Sequence, residues 1–145
     1  MRVRPSAAII SEKKILLMRY LYGSTDVYNL PGGNTDPAET LHDTLHRELK
    51  EELGIKIAIE QMLLAGEVVF PEKKSSALHV VFLSKITEGT PVLNPEETTA
   101  LGLEWVSLDK LNTINMYPNV GIQILNSINI NNHNSYIGKI NQTWF

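Results

Sequence analysis

The sequence predicts an α/β domain built on a mixed β-sheet. Strand-like segments flank one amphipathic helix, and a hairpin, a further strand and a closing helix follow in that order. The chain has 145 residues, so we expect one domain over residues 1–145. Its 43% hydrophobic and 20% charged residues are ordinary for a globular protein, so the order of elements is what predicts the fold.

Three strands are predicted before the helix. Residues 3–10 and 15–22 are rich in apolar side chains and flank the polar turn 11–14, which is typical of a β-hairpin. Residues 27–30 form a shorter strand that ends at Pro31. The first third of the chain is therefore expected to be β-structure.

Two glycines and an aromatic residue lie at the end of the third strand. Gly32 and Gly33 allow the backbone to approach a phosphate or a metal closely, and they also suit a plain tight turn. Tyr28 is a candidate to stack on a base or a ribose, although strand aromatics are commonly core residues. We therefore treat all three as candidate binding residues.

The helix is predicted from a leucine at every fourth position. These residues are Leu41, Leu45, Leu49 and Leu53. Thr40 and Asp43 have the spacing of a capping box, which we prefer as the helix start over the rival Asp36-Pro37. Gly54 is the expected C-terminal stop.

Three carboxylates share one face of this helix. Glu48, Glu51 and Glu52 are spaced i, i+3 and i+4, so they repel one another and should raise each other's pKa. A hard divalent cation such as Mg²⁺ removes that conflict, because it takes oxygen ligands together with substrate phosphates. The alternative is a solvated acidic face on which Arg47 and Lys50 are local partners.

A second hairpin is predicted after the helix. Residues 56–60 and 63–70 are β-like, a polar turn covers 71–76, and a strand returns from Ala77. His79 lies in the returning strand as either a packed residue or a substrate contact.

The remaining elements are shorter. Residues 88–99 form a long loop, and such loops are often functional. Residues 101–108 alternate as a strand that should place Trp105 in the core, a short helical stretch can start at Asp109, and residues 120–128 predict the last helix.

The chain ends in a polar tail, residues 129–145, that is rich in asparagine. Residues 136–140 are predicted to add a strand, either to this domain or to a second copy in a homodimer. Trp144 and Phe145 are expected to be buried on one of these surfaces, since each has a large apolar area.

Composition excludes several classes of function. The net charge of −3 gives no basic field for nucleic acid, so we expect none as a partner. The chain has no cysteine, which excludes disulfides, thiolate metal sites and cysteine nucleophiles. It shows no signal peptide and no long apolar run, so we expect a cytoplasmic protein without a membrane partner.

Residues 33–55 also contain a longer spaced pattern that resembles the Nudix box, G-x5-E-x7-R-E-U-x-E-E-x-G-U, where U is a bulky aliphatic residue. Every specified position matches: Gly33, Glu39, Arg47, Glu48, Leu49, Glu51, Glu52, Gly54 and Ile55. The resemblance implies an α/β/α sandwich with a mixed β-sheet, and it extends over about residues 3–128. Ala38 stands where the family often has glycine, and Thr44 and Leu45 stand where it often has small residues.

The resemblance implies hydrolysis of a pyrophosphate bond in a nucleoside diphosphate linked to another group. Glu48, Glu51 and Glu52 would bind Mg²⁺, for which Mn²⁺ is a substitute. The expected catalytic set is Glu51, Glu52, Arg47 and Glu97, in which Arg47 acts with Glu39 to orient the glutamates. A small-molecule nucleotide is the expected substrate.

Three points stay open at this stage. The general base is a glutamate of the box or one from the long loop, where Glu97 is preferred to Glu96 and Glu104 is a weaker candidate. Pro71 lies sixteen residues beyond the box, as in many ADP-ribose-cleaving members, while the short N-terminal part fits the nucleoside-triphosphate type. A nucleotide-sensing module without catalysis is the alternative function.

Overall fold

The computed structural model describes residues 1–129 and 135–144. The strands in these residues are β1 (Arg2–Ser11), β2 (Lys14–Tyr22), β3 (Thr25–Asn29), β4 (Lys56–Phe70), β5 (Ser75–Glu88), β6 (Gly102–Ser107), β7 (Met116–Tyr117) and β8 (Ser135–Lys139). They form one mixed sheet in the order β7-β3-β2-β1-β5-β4-β8, with β6 paired to β2 outside that path.

Two helices cover the two faces of the sheet. They are α1 (Leu41–Leu53) and α2 (Gly121–Asn129), and a 3-10 helix spans Leu108–Thr113. Ala7 and Ile9 of β1 belong to the buried cluster that contains the leucines of α1, whereas Ala8 between them belongs to the cluster that contains Ile124 of α2. Alternate residues of one strand thus face opposite layers, and the predicted α/β/α sandwich with a mixed sheet is confirmed. No helix among the described residues is long and apolar enough to cross a membrane.

The strand predictions agree with the structure in order and in type. In the first hairpin, turn residues Glu12 and Lys13 both have positive φ, which matches the twist of the flanking strands. The two segments predicted after the helix are one strand, β4, whose register shifts between Ile59 and Leu64. The sequence suggested a break there because the irregular stretch interrupts the alternation of buried and exposed residues.

The ends of α1 are those that the sequence predicts. The Thr40 hydroxyl accepts a hydrogen bond from the Asp43 N–H at 3.0 Å, and the Asp43 carboxylate accepts one from the Thr40 N–H at 3.0 Å. Gly54 ends the helix with φ of 67° and donates its N–H to the Lys50 carbonyl at 3.0 Å. A capping box and a left-handed glycine therefore fix the helix between residues 40 and 54.

The expected burial of Trp105 is wrong. Its side chain is 40% exposed. Strand β6 pairs with β2 alone among the described residues, so one side of β6 is a sheet edge open to solvent. Burial along β6 does not alternate, since Glu104 and Trp105 are both exposed. The alternation of apolar residues in the sequence could not show that the core ends beneath this strand.

The C-terminal segment packs on the domain itself. Strand β8 pairs in parallel with β4, one residue earlier than the predicted strand, and it covers the β4 edge. Ile140 is 3% exposed in the cluster under α2. Trp144 is half-exposed and contacts Phe70, while Phe145 lies outside the described residues.

Ile140→Ala should therefore destabilise the protein by about 2–5 kcal/mol, the usual effect of truncating a buried isoleucine. Lys139→Ala is the matched control, because Lys139 is exposed on the same segment. Urea unfolding of both variants measures the difference. An Ile140→Ala variant as stable as the control would show that the segment adds nothing to the core.

Candidate active site

A loop along β1 brings Gly33 to the helix. The Ala7 N–H donates to the Pro31 carbonyl at 2.8 Å, and the Gly33 N–H donates to the Pro5 carbonyl at 3.3 Å. Residues 31–33 therefore run beside β1, with a single bridge between Gly32 and Ser6. This arrangement places Gly33, the first residue of the motif, against the sheet rather than in solvent.

Gly32 is required by a close backbone contact, Gly33 lies against the end of a flexible side chain, and neither glycine needs a positive φ. A Cβ on Gly32 would overlap the carbonyl oxygen of Pro5, and a Cβ on Gly33 would overlap the carboxyl group of Glu48. The sequence predicted close approach to a ligand. In the structure, Gly32 lies against β1 and Gly33 lies against Glu48 of α1.

Arg47 connects the loop to the helix carboxylates. Its Nε and Nη2 donate to the two carboxylate oxygens of Glu39 at 2.7 and 2.9 Å. Its Nη1 donates to Glu48 at 3.1 Å and to Glu51 at 3.3 Å, and Nη2 also reaches the Asn34 carbonyl at 3.3 Å. The predicted orienting pair of Arg47 and Glu39 is thus a two-pronged ion pair, a geometry that lysine cannot reproduce.

Glu39 has further partners that the sequence analysis missed. The buried Thr44 hydroxyl donates to it at 2.9 Å, and the Asp36 N–H donates to the same oxygen at 2.9 Å. Hydrogen bonds from Arg47 and then from Asp36 lower the pKa of Glu39 to about 2. The available signal was a threonine on the buried side of a leucine-striped helix, five residues after a loop glutamate.

Glu48 and Glu52 form a close carboxyl pair. Burial, followed by hydrogen bonding and charge from Glu48, raises the pKa of Glu52 to about 8. The charged form of Glu52 is therefore disfavoured while Glu48 beside it is ionised. Glu51 instead turns toward Arg47 and is 41% exposed. The structure brings two of the three predicted metal ligands together, and no ready cluster of three acidic or histidine ligands occurs in the described part of the chain.

The donor set nevertheless fits a hard divalent cation. Glu48 and Glu52 offer only oxygen atoms, and their mutual repulsion is what a bound cation relieves. Mg²⁺ commonly keeps several waters and substrate oxygens, so it needs few protein ligands. Glu51, one residue before Glu52 on the same helix, would have to leave Arg47 to join the pair.

The long loop docks on the C-terminal end of α1. Asn94 donates its backbone N–H to the Glu52 carbonyl at 2.9 Å and its side-chain amide to the Glu51 carbonyl at 3.2 Å. Glu96 and Glu97 follow in an exposed turn. The loop candidates for the general base therefore follow two and three residues after Asn94, which is bonded to the carbonyls of Glu51 and Glu52.

Arg4 of β1 is a second residue that the sequence analysis missed. Its charge opposes the rise in the pKa of Glu52, and it also acts on Tyr20, His79 and Tyr117. Arg4 lies opposite His79 in the β1–β5 pairing, and Pro5 beside it is hydrogen-bonded to Gly33 of the motif loop. A lone arginine in a strand gives no sequence signal for such a position.

Tyr28 and Glu104 lie together, apart from this group. Burial and then the Glu104 carboxylate raise the pKa of Tyr28, and the other charges that act on it are Asp26 and Arg19. Glu104 is itself 3.5 Å from Arg19. The neighbours of Tyr28 thus include none of the α1 glutamates, and its stacking role stays a prediction.

Arg47→Lys should lower the melting temperature at neutral pH, because lysine cannot satisfy both oxygens of Glu39. Since the pKa of Glu39 is lowered from 4.5 to about 2, its stabilising effect is present above about pH 4.5 and is lost as the pH falls toward 2. The gap between wild type and variant should close over that range in melts of both proteins.

Lys50→Ala, on the same helix and exposed, is the control for that experiment. A gap that stays constant down to about pH 2 would contradict the assignment of the effect to Glu39.

Comparison with known proteins places this geometry in a family. The family model for the NUDIX domain matches residues 1–124. The chain is 30% identical over 124 residues to the 8-oxo-dGTP diphosphatase of Buchnera aphidicola subsp. Acyrthosiphon pisum (strain APS), an alignment that covers 86% of this chain and 94% of that protein. It is 30% identical over 104 residues to the NAD-capped RNA hydrolase NudC of Salmonella heidelberg (strain SL476), which covers 72% of this chain and 38% of that protein.

Solved structures agree. The crystal structure of a MutT NUDIX hydrolase from Burkholderia pseudomallei has a TM-score of 0.69 and 28% identity, and the match covers 86% of this chain and 95% of that one. The family model, the relatives and the shared fold all include the helix with the carboxylate pair. The chain therefore belongs to the Nudix hydrolase family.

Proposed function

We propose that this protein hydrolyses a pyrophosphate bond of a small nucleotide with the help of Mg²⁺ bound by Glu48, Glu52 and Glu51. The observation that supports this most directly is the Glu48–Glu52 pair, in which burial and the neighbouring Glu48 raise the pKa of Glu52 to about 8. Glu48 itself lies against Gly33 of the loop. Two carboxyls held in repulsion beside a close-packed loop are costly unless they serve a cation.

The residues of the chain have separable tasks in this proposal. Bound Mg²⁺ would supply charge neutralisation for phosphate oxygens and acidify an attacking water. Arg47 is a positioning residue, because it holds Glu39, Glu48 and Glu51 at fixed places. Glu97 is the proposed general base, since its loop is hydrogen-bonded to the backbone carbonyls of Glu51 and Glu52.

A nucleoside-triphosphate-type substrate is favoured over an ADP-ribose type. The 8-oxo-dGTP diphosphatase relative aligns over 94% of its own length, so the comparison concerns nearly the whole protein. The NudC alignment covers only 38% of that protein and supports the domain alone. Pro71, sixteen residues after Ile55, is the feature that keeps the ADP-ribose type as the second candidate.

The alternative of a nucleotide sensor without catalysis finds less support. Sensors on this fold generally lack glutamates of the motif, whereas Glu48, Glu51 and Glu52 are all present here. Their orienting ion pair is also complete, with both oxygens of Glu39 bonded to Arg47. A protein that only binds nucleotide would not need this complete set of glutamates and their orienting ion pair.

With Mg²⁺, the protein should cleave members of a panel of nucleoside triphosphates and ADP-ribose, and Glu52→Gln should abolish nearly all turnover. The substitution removes a carboxylate oxygen from the proposed cation site. Chromatography of the products shows which phosphate is released and therefore which substrate class applies. Glu60→Gln, an exposed glutamate of β4, is the matched control. Near wild-type turnover of Glu52→Gln at saturating Mg²⁺ would refute the metal-site assignment.

The same variant should be more stable than wild type when metal is removed. The pKa of Glu52 is raised from 4.5 to about 8, so the folded protein binds this proton more tightly than the unfolded chain does. Wild type therefore loses stability as the pH rises from about 4.5 to 8, and Glu52→Gln does not. Melts in chelator should show a gap in favour of the variant that is largest near pH 8 and small near pH 5.

Added Mg²⁺ should reverse that order, because only wild type keeps the complete site. A variant that melts below wild type in chelator at about pH 8 would show that Glu52 is not under electrostatic strain.

A further inference from the structure

A chain of aromatic rings lies on the side of the sheet away from α1. The rings of Phe70 and Trp144 are 5.2 Å apart between centroids, and those of Trp144 and Tyr117 are 6.4 Å apart. Tyr117 in turn meets the ring of His79 edge to face at 5.4 Å. Phe70 and Trp144 line a cavity of about 430 Å³, a size that suits a small-molecule ligand.

The C-terminal segment holds Trp144 in this position. Gln142 donates its side-chain amide to the Met116 carbonyl at 3.0 Å and accepts a hydrogen bond from the Asn119 N–H at 2.9 Å. The Asn119 side chain donates to the Asn141 carbonyl at 2.9 Å. These bonds fasten the segment to the loop after β7, two residues before the tryptophan, so the aromatic wall is built into the fold.

Positive charge leads from this cavity toward the carboxylate pair. The Arg2 guanidinium lies 5.7 Å from the centre of the Phe70 ring, and the Lys73 ammonium lies 5.9 Å from it. Arg2 and Arg4 are two residues apart on β1, so they share a face of the strand. Pro5, which follows Arg4, accepts a hydrogen bond from the Gly33 N–H at 3.3 Å, and Gly33 lies against the Glu48 carboxyl group. In a chain of net charge −3, this basic line is suited to polyphosphate.

A buried histidine beneath the aromatic rings has unused hydrogen-bonding groups. His79 is fully buried, and neither of its ring nitrogens has a partner among the described residues. It lies opposite Arg4 in the β1–β5 pairing and opposite Gly66 in the β4–β5 pairing, and its ring meets that of Tyr117. Burial, Arg4 and Arg2 lower its pKa to about 4, so the neutral ring offers one donor and one acceptor. Buried polar groups without partners are uncommon and often mark a ligand site.

We propose that the base of the nucleotide substrate binds in the cavity of Phe70 and Trp144, where Trp144 is its stacking surface. The phosphates would then follow Arg2 and Arg4 toward Glu52. This inference rests on the proposed function and assigns substrate recognition to a residue beyond position 124, where the family match ends. The occupant is an aromatic base because the rings of Phe70 and Trp144 form two walls of the cavity. Pro71, Glu72 and Lys73 complete its lining, and Arg2 adds a second cation beside the Phe70 ring.

Tryptophan fluorescence tests this without turnover. The chain has two tryptophans, so Trp105→Phe leaves Trp144 as the only one. The probes are nucleoside triphosphates with a methylene group in place of the α,β-bridging oxygen, and the base-free control is tripolyphosphate, each with Mg²⁺. We expect the analogues to quench Trp144 in a saturable way, and tripolyphosphate to bind without quenching. Equal quenching by tripolyphosphate, or none by any analogue, would overturn the proposal.

Steady-state kinetics supply an independent measurement. Trp144→Ala should raise KM for the preferred nucleotide by about tenfold or more with little change in kcat, because stacking on an aromatic side chain contributes mainly to binding. Trp144→Phe should restore most of the affinity. Tyr136→Ala is the matched control, since Tyr136 is a 68% exposed aromatic on the same segment. An unchanged KM in Trp144→Ala would count against the inference.

The two proposals fail in different ways. Quenching of Trp144 by the analogues in a protein that cleaves no nucleotide would refute the proposed hydrolysis and leave the base site standing. Turnover that is lost in Glu52→Gln but has the same KM in wild type and Trp144→Ala would leave the hydrolysis standing and refute the base site.

Discussion

The ion pair between Arg47 and Glu39 is the interaction on which the site depends. Glu39 belongs to the loop and Arg47 to the helix, and the pair joins them through two hydrogen bonds of 2.7 and 2.9 Å. The remaining guanidinium N–H groups then hold Glu48 and Glu51 at 3.1 and 3.3 Å. One side chain thus fixes both the approach of the Gly33 loop and the directions of two glutamates, which explains why arginine and not lysine occupies this position.

The loop before α1 contains a strained residue, which lowers the stability of the fold but shapes the site. Ala38 has φ of 68°, a conformation that disfavours non-glycine residues by about 1–2 kcal/mol. It immediately precedes Glu39, so the backbone bends there to bring the carboxylate under Arg47. The raised pKa of Glu52 is a second unfavourable feature at the same place. Both are tolerated because the surrounding hydrogen bonds and the leucine stripe of α1 determine the geometry.

What the sequence could predict follows from which interactions are local. The leucine period, the Thr40–Asp43 cap and the Gly54 stop all act within a few residues, so α1 and its carboxylate face were accessible. Arg4 and Trp144 were not, because Glu52 and Phe70, on which they act, are distant in sequence and come near them only in the folded structure. Trp105 was misplaced for the same reason, since its exposure depends on where the sheet ends.

This division between local and distant contacts parallels a division of labour. The groups that face the proposed cation come from one continuous stretch, residues 33–52, and are oriented by contacts within it. The groups that face the proposed base come from β1, β4, β5, β7 and the C-terminal segment. The hydrogen bonds of Arg47 and Glu39 in the described residues all go to partners within residues 34–51, and none goes to the second set. Substitutions in the sheet and the C-terminal segment can therefore change substrate preference while the carboxylate site keeps its form. A substitution at a residue such as Trp144 would disturb the carboxylate site least.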